Sequence, residues 1–170
     1  MQILENFMPS EIFQKFHYIV TDHNFPWRVR NAMTDDDSCM WLNHSIFDEH
    51  QIQSPTMHAD WILPILSKLR SAALINAGLN LYFNKIFSYS GWHRDFLFVC
   101  KTGIFNLNDS DGGTEFEIDD EIKFVPAVAN TMIVFDSTIK HRAKSSMKND
   151  LRYVLNLNFI DTSSMFDKVI

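Results

Sequence analysis

The chain has 170 residues, enough for one domain with a substantial core, and 46% of them are hydrophobic, which argues against intrinsic disorder. The formal net charge is −6 and the basic residues are scattered, a pattern that disfavours binding to nucleic-acid phosphates. No apolar run approaches the roughly 18 to 20 residues of a membrane helix, and no secretory signal is recognisable at Met1. We therefore expect one domain over residues 1–170 in a soluble, intracellular protein.

The N-terminal part, to about residue 78, is predicted to be mainly helical. An edge strand is predicted within residues 1–7, followed by a helix from Ser10, as its N-cap, to about Val20. A second helix is predicted from about Thr56 to Asn76 because apolar residues recur there at helical intervals. Pro64 falls inside it, where a kink or a first helical turn is expected.

Between these helices, residues 27–50 show no sustained periodicity, and we expect a loop with short strands there. His44 and His50 lie in this segment. They are metal-ligand candidates by residue type only, since no carboxylate accompanies them at strand spacing. Surface roles are therefore expected for both histidines.

From about residue 79 to residue 161 the pattern is that of β-strands separated by turn-rich connectors at 108–113 and 147–150. Seven strands are predicted, at Asn80–Tyr89, Phe96–Leu107, Thr114–Ile118, Glu121–Val125, Thr131–Phe135, His141–Ser145 and Leu151–Ile160. Because no helix intervenes, the pattern predicts an antiparallel sandwich or barrel of the jelly-roll type.

Two of these strands alternate between an apolar and a polar face. In one strand the polar face carries Arg152, Asn156 and Asn158 together with Val154, opposite Tyr153, Leu155, Leu157 and Phe159. In the other it carries Asn80, Tyr82 and Asn84, opposite Leu81 and Phe83. Such faces meet solvent in an ordinary sandwich, whereas a sheet that curls around a cavity lines it with them. The residues alone leave both arrangements open.

The residues with the clearest chemical meaning are His93, Asp95 and His141. Two imidazoles and one carboxylate hold one face of an octahedral Fe(II) and leave the opposite face open for chemistry. Residues two apart on a strand point to the same side, so His93 and Asp95 can reach one ion, and His141 is supplied by a later strand. The chain has seven histidines, however, so chance alone produces such a spacing fairly often.

The stretch from Asn80 to Phe159 resembles the double-stranded β-helix (jelly-roll, cupin-like) core of the Fe(II)- and 2-oxoglutarate-dependent oxygenases, specifically the prolyl 4-hydroxylase-like branch. The matching features are His93-Arg94-Asp95, the run Asp111-Gly112-Gly113-Thr114-Glu115-Phe116, which is similar to the family's Gly-Gly-x-x-x-Phe connection, Phe135 shortly before His141, and Arg152 eleven residues after His141. Residues 3–9 are similar to the family's first strand and the start of its first helix.

The resemblance implies an enzyme in which His93, Asp95 and His141 are the catalytic metal ligands. Fe(II), 2-oxoglutarate and O2 are the implied cofactor and cosubstrates, with ascorbate as a supporting reductant. Arg152 would anchor the far carboxylate of 2-oxoglutarate, since guanidinium binds a carboxylate through two parallel hydrogen bonds. Tyr82 is expected to share that carboxylate, its alternative being a packed interior aromatic. Asn80 or Asn84 is expected at the near end.

The substrate is open at this stage. The branch implies hydroxylation of an unactivated C–H bond, with peptidyl proline as the guess by analogy. A free amino acid or another small metabolite is the alternative substrate, and a non-catalytic cupin-like protein that binds a metal or ligand is the alternative class. Arg94 and Arg142 each follow a ligand directly, so we expect both to point away from the metal.

Overall fold

The computed structural model describes residues 1–31, 40–83, 89–148 and 151–162. In chain order the strands and helices are β1 Gln2–Leu4, α1 Ser10–Thr21, β2 Arg28–Asn31, β3 Met40–Asp48, β4 Gln51–Ile52, α2 Pro55–Met57, a π-helical segment His58–Ile62, α3 Leu63–Lys68, β5 Ser71–Phe83, β6 Lys101–Asn106, β7 Ser110–Ile118, β8 Glu121–Ala127, β9 Thr131–Asp136, β10 His141–Lys144 and β11 Leu151–Asp161. None of the helices in these ranges has the length and hydrophobicity needed to cross a membrane.

The strands form two antiparallel sheets. The larger has the order β1-β9-β6-β11-β5-β3-β2, with β4 paired to β3, and the smaller has the order β10-β7-β8. Apolar side chains from both sheets, including Phe116, Phe135 and Val154, form one cluster between them. The predicted fold class is confirmed: the molecule is mainly β, with N-terminal helices and a jelly-roll core of the double-stranded β-helix type.

A second apolar cluster covers the other face of the larger sheet. It contains Leu155, Leu157 and Phe159 from β11 and Phe16 from α1, all of which are buried. Phe16 also stacks on Trp61 with ring centroids 4.7 Å apart. The predicted alternation of β11 is thereby confirmed, because its apolar face packs under the helices and its polar face turns toward the smaller sheet.

The first helix begins at Ser10, as expected, but Ser10 is not its N-cap. Pro9 holds that position with an extended backbone, and its carbonyl accepts the hydrogen bond from the Phe13 N–H at 2.9 Å. Since proline fixes its own φ and needs no hydrogen-bond partner for its nitrogen, it starts the helix without a side-chain cap.

The second predicted helix is wrong beyond Lys68. Arg70 has a φ of 52°, a left-handed conformation that ends the helix, and the chain then enters β5. Small apolar residues in this stretch fit helical spacing locally, but pairing with β11 from Ser71 onward, joined by β3 from Ala77, determines a strand. The amide of Leu63 reaches back to the His58 carbonyl, so the helix widens just before Pro64, which has no N–H to donate.

The region 27–50 is more regular than predicted. β3 is a nine-residue strand that pairs with β2, β4 and β5, not a loop with short strands. Polar residues at inward positions of β3 explain why the sequence of this region lacks the alternation of apolar and polar residues expected of a strand. The Asn43 amide, for example, donates to the Leu79 carbonyl at 3.1 Å and to Asn80 Oδ1 at 2.9 Å, so a polar side chain occupies an inward position.

Four of the remaining predicted strands match the structure closely, and three differ at an end. β6 begins at Lys101 because residues 97–99 form an exposed bend. β7 begins at Ser110, so part of the predicted connector 108–113 is strand. β5 is described to Phe83, Tyr89 forms an isolated bridge with Lys144, and Asn84 lies outside the described residues.

Candidate metal centre

His93 lies opposite His141 in an isolated antiparallel bridge. Two backbone hydrogen bonds join the pair, from the His93 N–H to the His141 carbonyl at 3.0 Å and in the reverse direction at 2.9 Å. The predicted strand through His93 and Asp95 is therefore reduced to a single bridged residue. The bridge nevertheless brings the first histidine of the motif beside the second, with ring centroids 4.4 Å apart.

Asp95 completes the cluster. Its Oδ1 lies 3.7 Å from His93 Nε2 and 3.6 Å from His141 Nε2. One ligand atom from each of the three residues lies within 4.8 Å of the others, so a single metal ion could contact all three. Two histidines and one carboxylate are the donor set of a facial non-haem Fe(II) site.

Both imidazoles are oriented by their other nitrogen. His93 Nδ1 lies 3.1 Å from the Gly91 carbonyl and His141 Nδ1 lies 3.0 Å from the Ile139 carbonyl. A carbonyl oxygen only accepts, so each Nδ1 carries the hydrogen and each Nε2 presents its lone pair to the cluster. Burial lowers the pKa of His141, although Asp95 opposes this, and the neutral ring is the form that binds a metal.

The other oxygen of Asp95 is fixed by Asn158, which the sequence pattern placed on the polar face of its strand, and by Thr102, which the pattern did not reveal. Thr102 Oγ1 donates to Asp95 Oδ2 at 2.7 Å, and Asn158 Nδ2 donates to the same atom at 2.8 Å. Ser137 lies 2.9 Å from Thr102 Oγ1, and the Cys100 thiol donates to Ser137 at 3.1 Å. This chain of hydrogen bonds leaves Oδ1 directed at the two histidines.

The glycines of β7 allow strands to approach this site closely. A Cβ added to Gly113 would lie 2.2 Å from the Val125 carbonyl, and one added to Gly112 would lie 2.8 Å from the Lys144 carbonyl. Phe116, further along β7, packs on the His141 ring at 6.1 Å, and Phe135 packs on it edge-on at 4.9 Å. The two aromatic rings therefore pack closely against His141 and exclude water from that side of its imidazole.

Arg152 is completely buried at the other side of the same cavity. Its guanidinium donates to the Gly113 carbonyl at 2.6 Å and to Asn106 Oδ1 and Thr114 Oγ1 at 3.3 Å each. Its Nε has no hydrogen-bond partner, and no carboxylate in the described ranges pairs with it. Burial lowers the pKa of Arg152 to about 10, against the opposing influence of Tyr82, so the group is charged at neutral pH. A buried cation without a counter-ion is costly, so this position suits an anionic ligand.

A cavity of about 400 Å³ connects the two sets of residues, and its lining includes Arg152, Tyr82, Asn80, Asn156, His93 and His141. The polar faces of β5 and β11 thus line a cavity instead of meeting solvent. Asn80 Oδ1 accepts hydrogen bonds from Trp41 Nε1 at 3.0 Å and from Asn43 at 2.9 Å, which leaves its amide NH2 available to the cavity. The donors present fit one Fe(II) and one dicarboxylate.

Outside the cavity, Arg142 ties the segment that carries His93 to the smaller sheet. Its guanidinium lies 4.0 Å from the Tyr89 ring centroid and 4.4 Å from that of Trp92, and it pairs with Glu115 at 2.7 and 2.8 Å. Arg94 donates to the Thr138 carbonyl at 2.9 Å. Neither arginine lines the cavity, in agreement with the expectation that both point away from the metal.

The remaining histidine candidates do not join this cluster. His44 lies in β3, where its Nδ1 is 3.1 Å from the Pro26 carbonyl and its ring contacts Phe25. His50 is exposed in the turn between β3 and β4. The metal cluster found among the described residues contains His93, Asp95 and His141 and neither of these two.

No protein-family model and no curated protein sequence matches this chain. Solved structures do. A Pseudomonas putida prolyl-4-hydroxylase shares 14% identity over 94% of this chain and 91% of its own, with a TM-score of 0.68. A Burkholderia pseudomallei oxidoreductase of the 2OG-Fe(II) oxygenase family shares 13% identity over 93% and 84%, with a TM-score of 0.69. The chain has the fold of the 2-oxoglutarate and Fe(II)-dependent oxygenases.

A third structure with the oxygenase fold is the Trichoplax adhaerens prolyl hydroxylase in complex with a hypoxia inducible factor peptide fragment. It shares 12% identity over 99% of this chain and 87% of its own, with a TM-score of 0.67. All three identities are low, so the likeness concerns the fold, and the site geometry carries the functional argument.

Proposed function

We propose that this chain is an Fe(II)- and 2-oxoglutarate-dependent oxygenase that hydroxylates an unactivated C–H bond. One observation carries the proposal: the cavity that the His93, Asp95 and His141 cluster opens into is also lined by the guanidinium of Arg152, which no described carboxylate neutralises. A metal site alone would suit many proteins, but a buried cation beside it suits a dicarboxylate that also reaches the metal. The oxygenase fold supports the same conclusion.

In this proposal each residue has one role. His93, Asp95 and His141 hold Fe(II) through Nε2, Oδ1 and Nε2, and Arg152 binds the far carboxylate of 2-oxoglutarate. Tyr82, whose ring lies 5.7 Å from the Arg152 guanidinium carbon, borders the same end, and the Asn80 amide is a donor for the near end. Fe(II) held by these residues would supply the oxidation chemistry by which 2-oxoglutarate, O2 and a substrate C–H give succinate, CO2 and a C–OH.

The protein contributes orientation and the exclusion of water. The hydrogen bonds of Thr102 and Asn158 hold Asp95 before any metal arrives, and those of the two Nδ1 atoms hold the imidazoles. Apolar side chains of Ile104, Ala143 and Val154 line the cavity between the metal site and Arg152. A dry lining keeps a reactive oxidant from solvent and from competing side reactions.

For the substrate, peptidyl proline is supported by two of the similar structures, a prolyl-4-hydroxylase and a prolyl hydroxylase bound to a peptide. A small metabolite or free amino acid is the competing substrate class. Each of the three similar structures matches nearly the whole of this chain, which supports treating residues 1–170 as one oxygenase domain.

The test is binding followed by turnover. Mn(II) and N-oxalylglycine, an unreactive analogue of 2-oxoglutarate, should each raise the melting temperature of the wild-type protein, and together they should raise it further. With Fe(II) and ascorbate, the wild-type protein should release succinate from 2-oxoglutarate.

His93→Ala and Asp95→Ala should abolish this succinate release, and Arg94→Met is the matched control beside both ligands. Binding of Mn(II) without any succinate release across peptides and amino acids would instead favour a non-catalytic binding protein. No stabilisation by either compound would refute the iron and 2-oxoglutarate assignments together.

A further inference from the structure

A second arginine, Arg30, also lines the cavity, and it is exposed to solvent. It lies on β2 directly opposite Trp41 on β3, and both side chains line the cavity. Directly opposed residues of an antiparallel pair share one face of the sheet, so a guanidinium and an indole stand side by side there. Arg30 is exposed and forms no ion pair or hydrogen bond with the described residues.

Arg30 is well separated from Arg152. The strands that carry them stand in the order β11-β5-β3-β2, so three strand spacings, or about 14 Å of sheet, lie between the two backbones. A molecule of 2-oxoglutarate held by Arg152 and by the metal ligands would occupy the part of the cavity between them. Arg30 therefore faces the space left for the substrate.

Within the part of the chain that the structure describes, no carboxylate pairs with Arg30. Of the described residues that line the cavity, Arg30 and Arg152 carry fixed charges, and Asp95 adds one negative charge at the metal cluster. With both ligands bound, Fe(II) and the 2-oxoglutarate dianion cancel each other and Asp95 offsets Arg152. One positive charge remains, in a protein whose formal net charge is −6. The cavity thus attracts an anion although the chain as a whole is acidic.

We propose that the substrate of this site carries a carboxylate, which Arg30 binds while the Trp41 indole packs against the adjoining apolar part of the molecule. This rests on the proposed function and narrows it. An interior proline of a peptide has no such charge, whereas a free amino acid, another small organic acid, or the C-terminal residue of a peptide does. Guanidinium binds a carboxylate through paired, charge-assisted hydrogen bonds, and an amide of the same shape loses them.

The experiment uses the full-length protein loaded with Mn(II) and N-oxalylglycine, and it compares acids with their primary amides by calorimetric titration. The probes are the common free amino acids with their amides, including L-proline and L-prolinamide, and proline-ending dipeptides with a free or amidated C-terminus. At least one acid should bind about tenfold or more tightly than its amide, the smaller effect expected for a charge-assisted pair. Preferential binding of a free amino acid would then indicate a small-metabolite substrate, and preferential binding of a dipeptide would indicate the C-terminal end of a peptide.

The variant Arg30→Met should remove the preference for the acid. Arg28→Met is the matched control, because it removes an equal charge from the same strand and Arg28 does not line the cavity. It should leave the preference intact.

Three results would overturn the proposal: equal binding of acids and amides, no binding of any acid at millimolar concentration, or a loss of N-oxalylglycine affinity in Arg30→Met as large as in Arg152→Met. Failure of Mn(II) and N-oxalylglycine to bind the wild-type protein would instead refute the proposed function, and this inference with it.

Discussion

The two ends of the cavity are built in different ways. Arg152 stands on β11, an eleven-residue strand that is paired with β5 on one side and with β6 on the other. His93 and Asp95 stand on a segment that is joined to β10 by isolated bridges at Tyr89 and His93. The backbone ladder therefore fixes the anchor for the cosubstrate, whereas side chains must fix two of the three metal ligands.

Two groups of side chains do this at the metal end. Thr102 and Asn158, both on strands of the larger sheet, hold Asp95 from inside. Arg142 and Glu115 hold the Tyr89 to Trp92 stretch from outside. The comparison implies that substitutions near Arg152 should weaken the binding of 2-oxoglutarate with little effect on the metal. Substitutions around Asp95 and His93 should weaken the binding of the metal.

The largest separation is expected for Arg152→Met. It removes the charge and keeps an apolar side chain on the same backbone, so N-oxalylglycine binding to the Mn(II) protein should weaken by about 2–4 kcal/mol, roughly 30- to 1000-fold. Mn(II) affinity should stay within about threefold of wild type, because β11 keeps its position. Isothermal titration of each ligand checks both values. Equal losses for the metal and the analogue would show that the two ends are not independent.

A smaller effect, on the metal alone, is expected for Thr102→Val and Asn158→Leu. Each removes one hydrogen bond to Asp95 Oδ2 and lets the carboxylate rotate. Groups that orient metal ligands are typically worth about 10- to 100-fold in metal affinity. Co(II) titration followed by visible absorption measures this change and reports ligand geometry as well. Thr114→Val, which touches Arg152 and not Asp95, is the control that should leave the Co(II) spectrum unchanged.

The sequence predicted the two ends unequally, and the reason is physical. Strict alternation along residues 151–160 showed which side chains of β11 share a face, and regular pairing then places Arg152 and Asn158 on the cavity side. Spacing and resemblance together pointed to His93, Asp95 and His141. A threonine inside an apolar strand reads as an ordinary β-branched residue, so Thr102 gave no signal before its neighbours were known.

The errors cluster where tertiary pairing overrides local pattern. Residues 71–76 have helical spacing, yet pairing with β11 makes them the first half of β5. β3 was missed because Asn43 and Trp41 both hydrogen-bond the inward-facing Asn80, so the inner face of the strand is polar in part and lacks the alternation that identifies a strand. Arg30 and Trp41 belong to the same missed strands. A cavity wall is in general harder to predict than a core, because its polar residues look like surface residues.

A moderate effect is expected for Arg142→Met, which tests the outer attachment of the His93 segment. The change removes the ion pair with Glu115 and the contacts with two aromatic rings, together worth about 1–2 kcal/mol for a pair that is largely buried. Mn(II) should bind roughly three- to tenfold more weakly, while N-oxalylglycine affinity at saturating metal stays close to wild type. Arg94→Met is the matched control, since Arg94 follows the other histidine and, among the described residues, its side chain hydrogen-bonds the Thr138 carbonyl and no carboxylate. Identical metal affinities for the two variants would remove Arg142 from this role.

The smallest effect is a pH dependence of stability that arises from Cys100. This residue is linked to Asp95 through hydrogen bonds of Ser137 and Thr102. Burial raises the pKa of the Cys100 thiol above its ordinary 9.0, so the folded protein keeps this proton at a pH where the unfolded chain has lost it. The contribution to stability is complete below pH 9.0 and is lost as the pH rises toward the folded-state pKa.

Urea unfolding of the metal-free protein between about pH 8 and 10.5 should therefore show a steeper decline in unfolding free energy for wild type than for Cys100→Ala. The difference between the two proteins isolates the thiol from other groups that titrate in this range. Because the thiol donates to Ser137, and Ser137 contacts Thr102, the same pH range should also weaken Co(II) binding more in wild type than in Cys100→Ala. If the unfolding free energies of wild type and Cys100→Ala decline equally with pH, ionisation of the thiol does not destabilise the folded protein. Asp95 would then be held by Thr102 and Asn158 without support from Cys100.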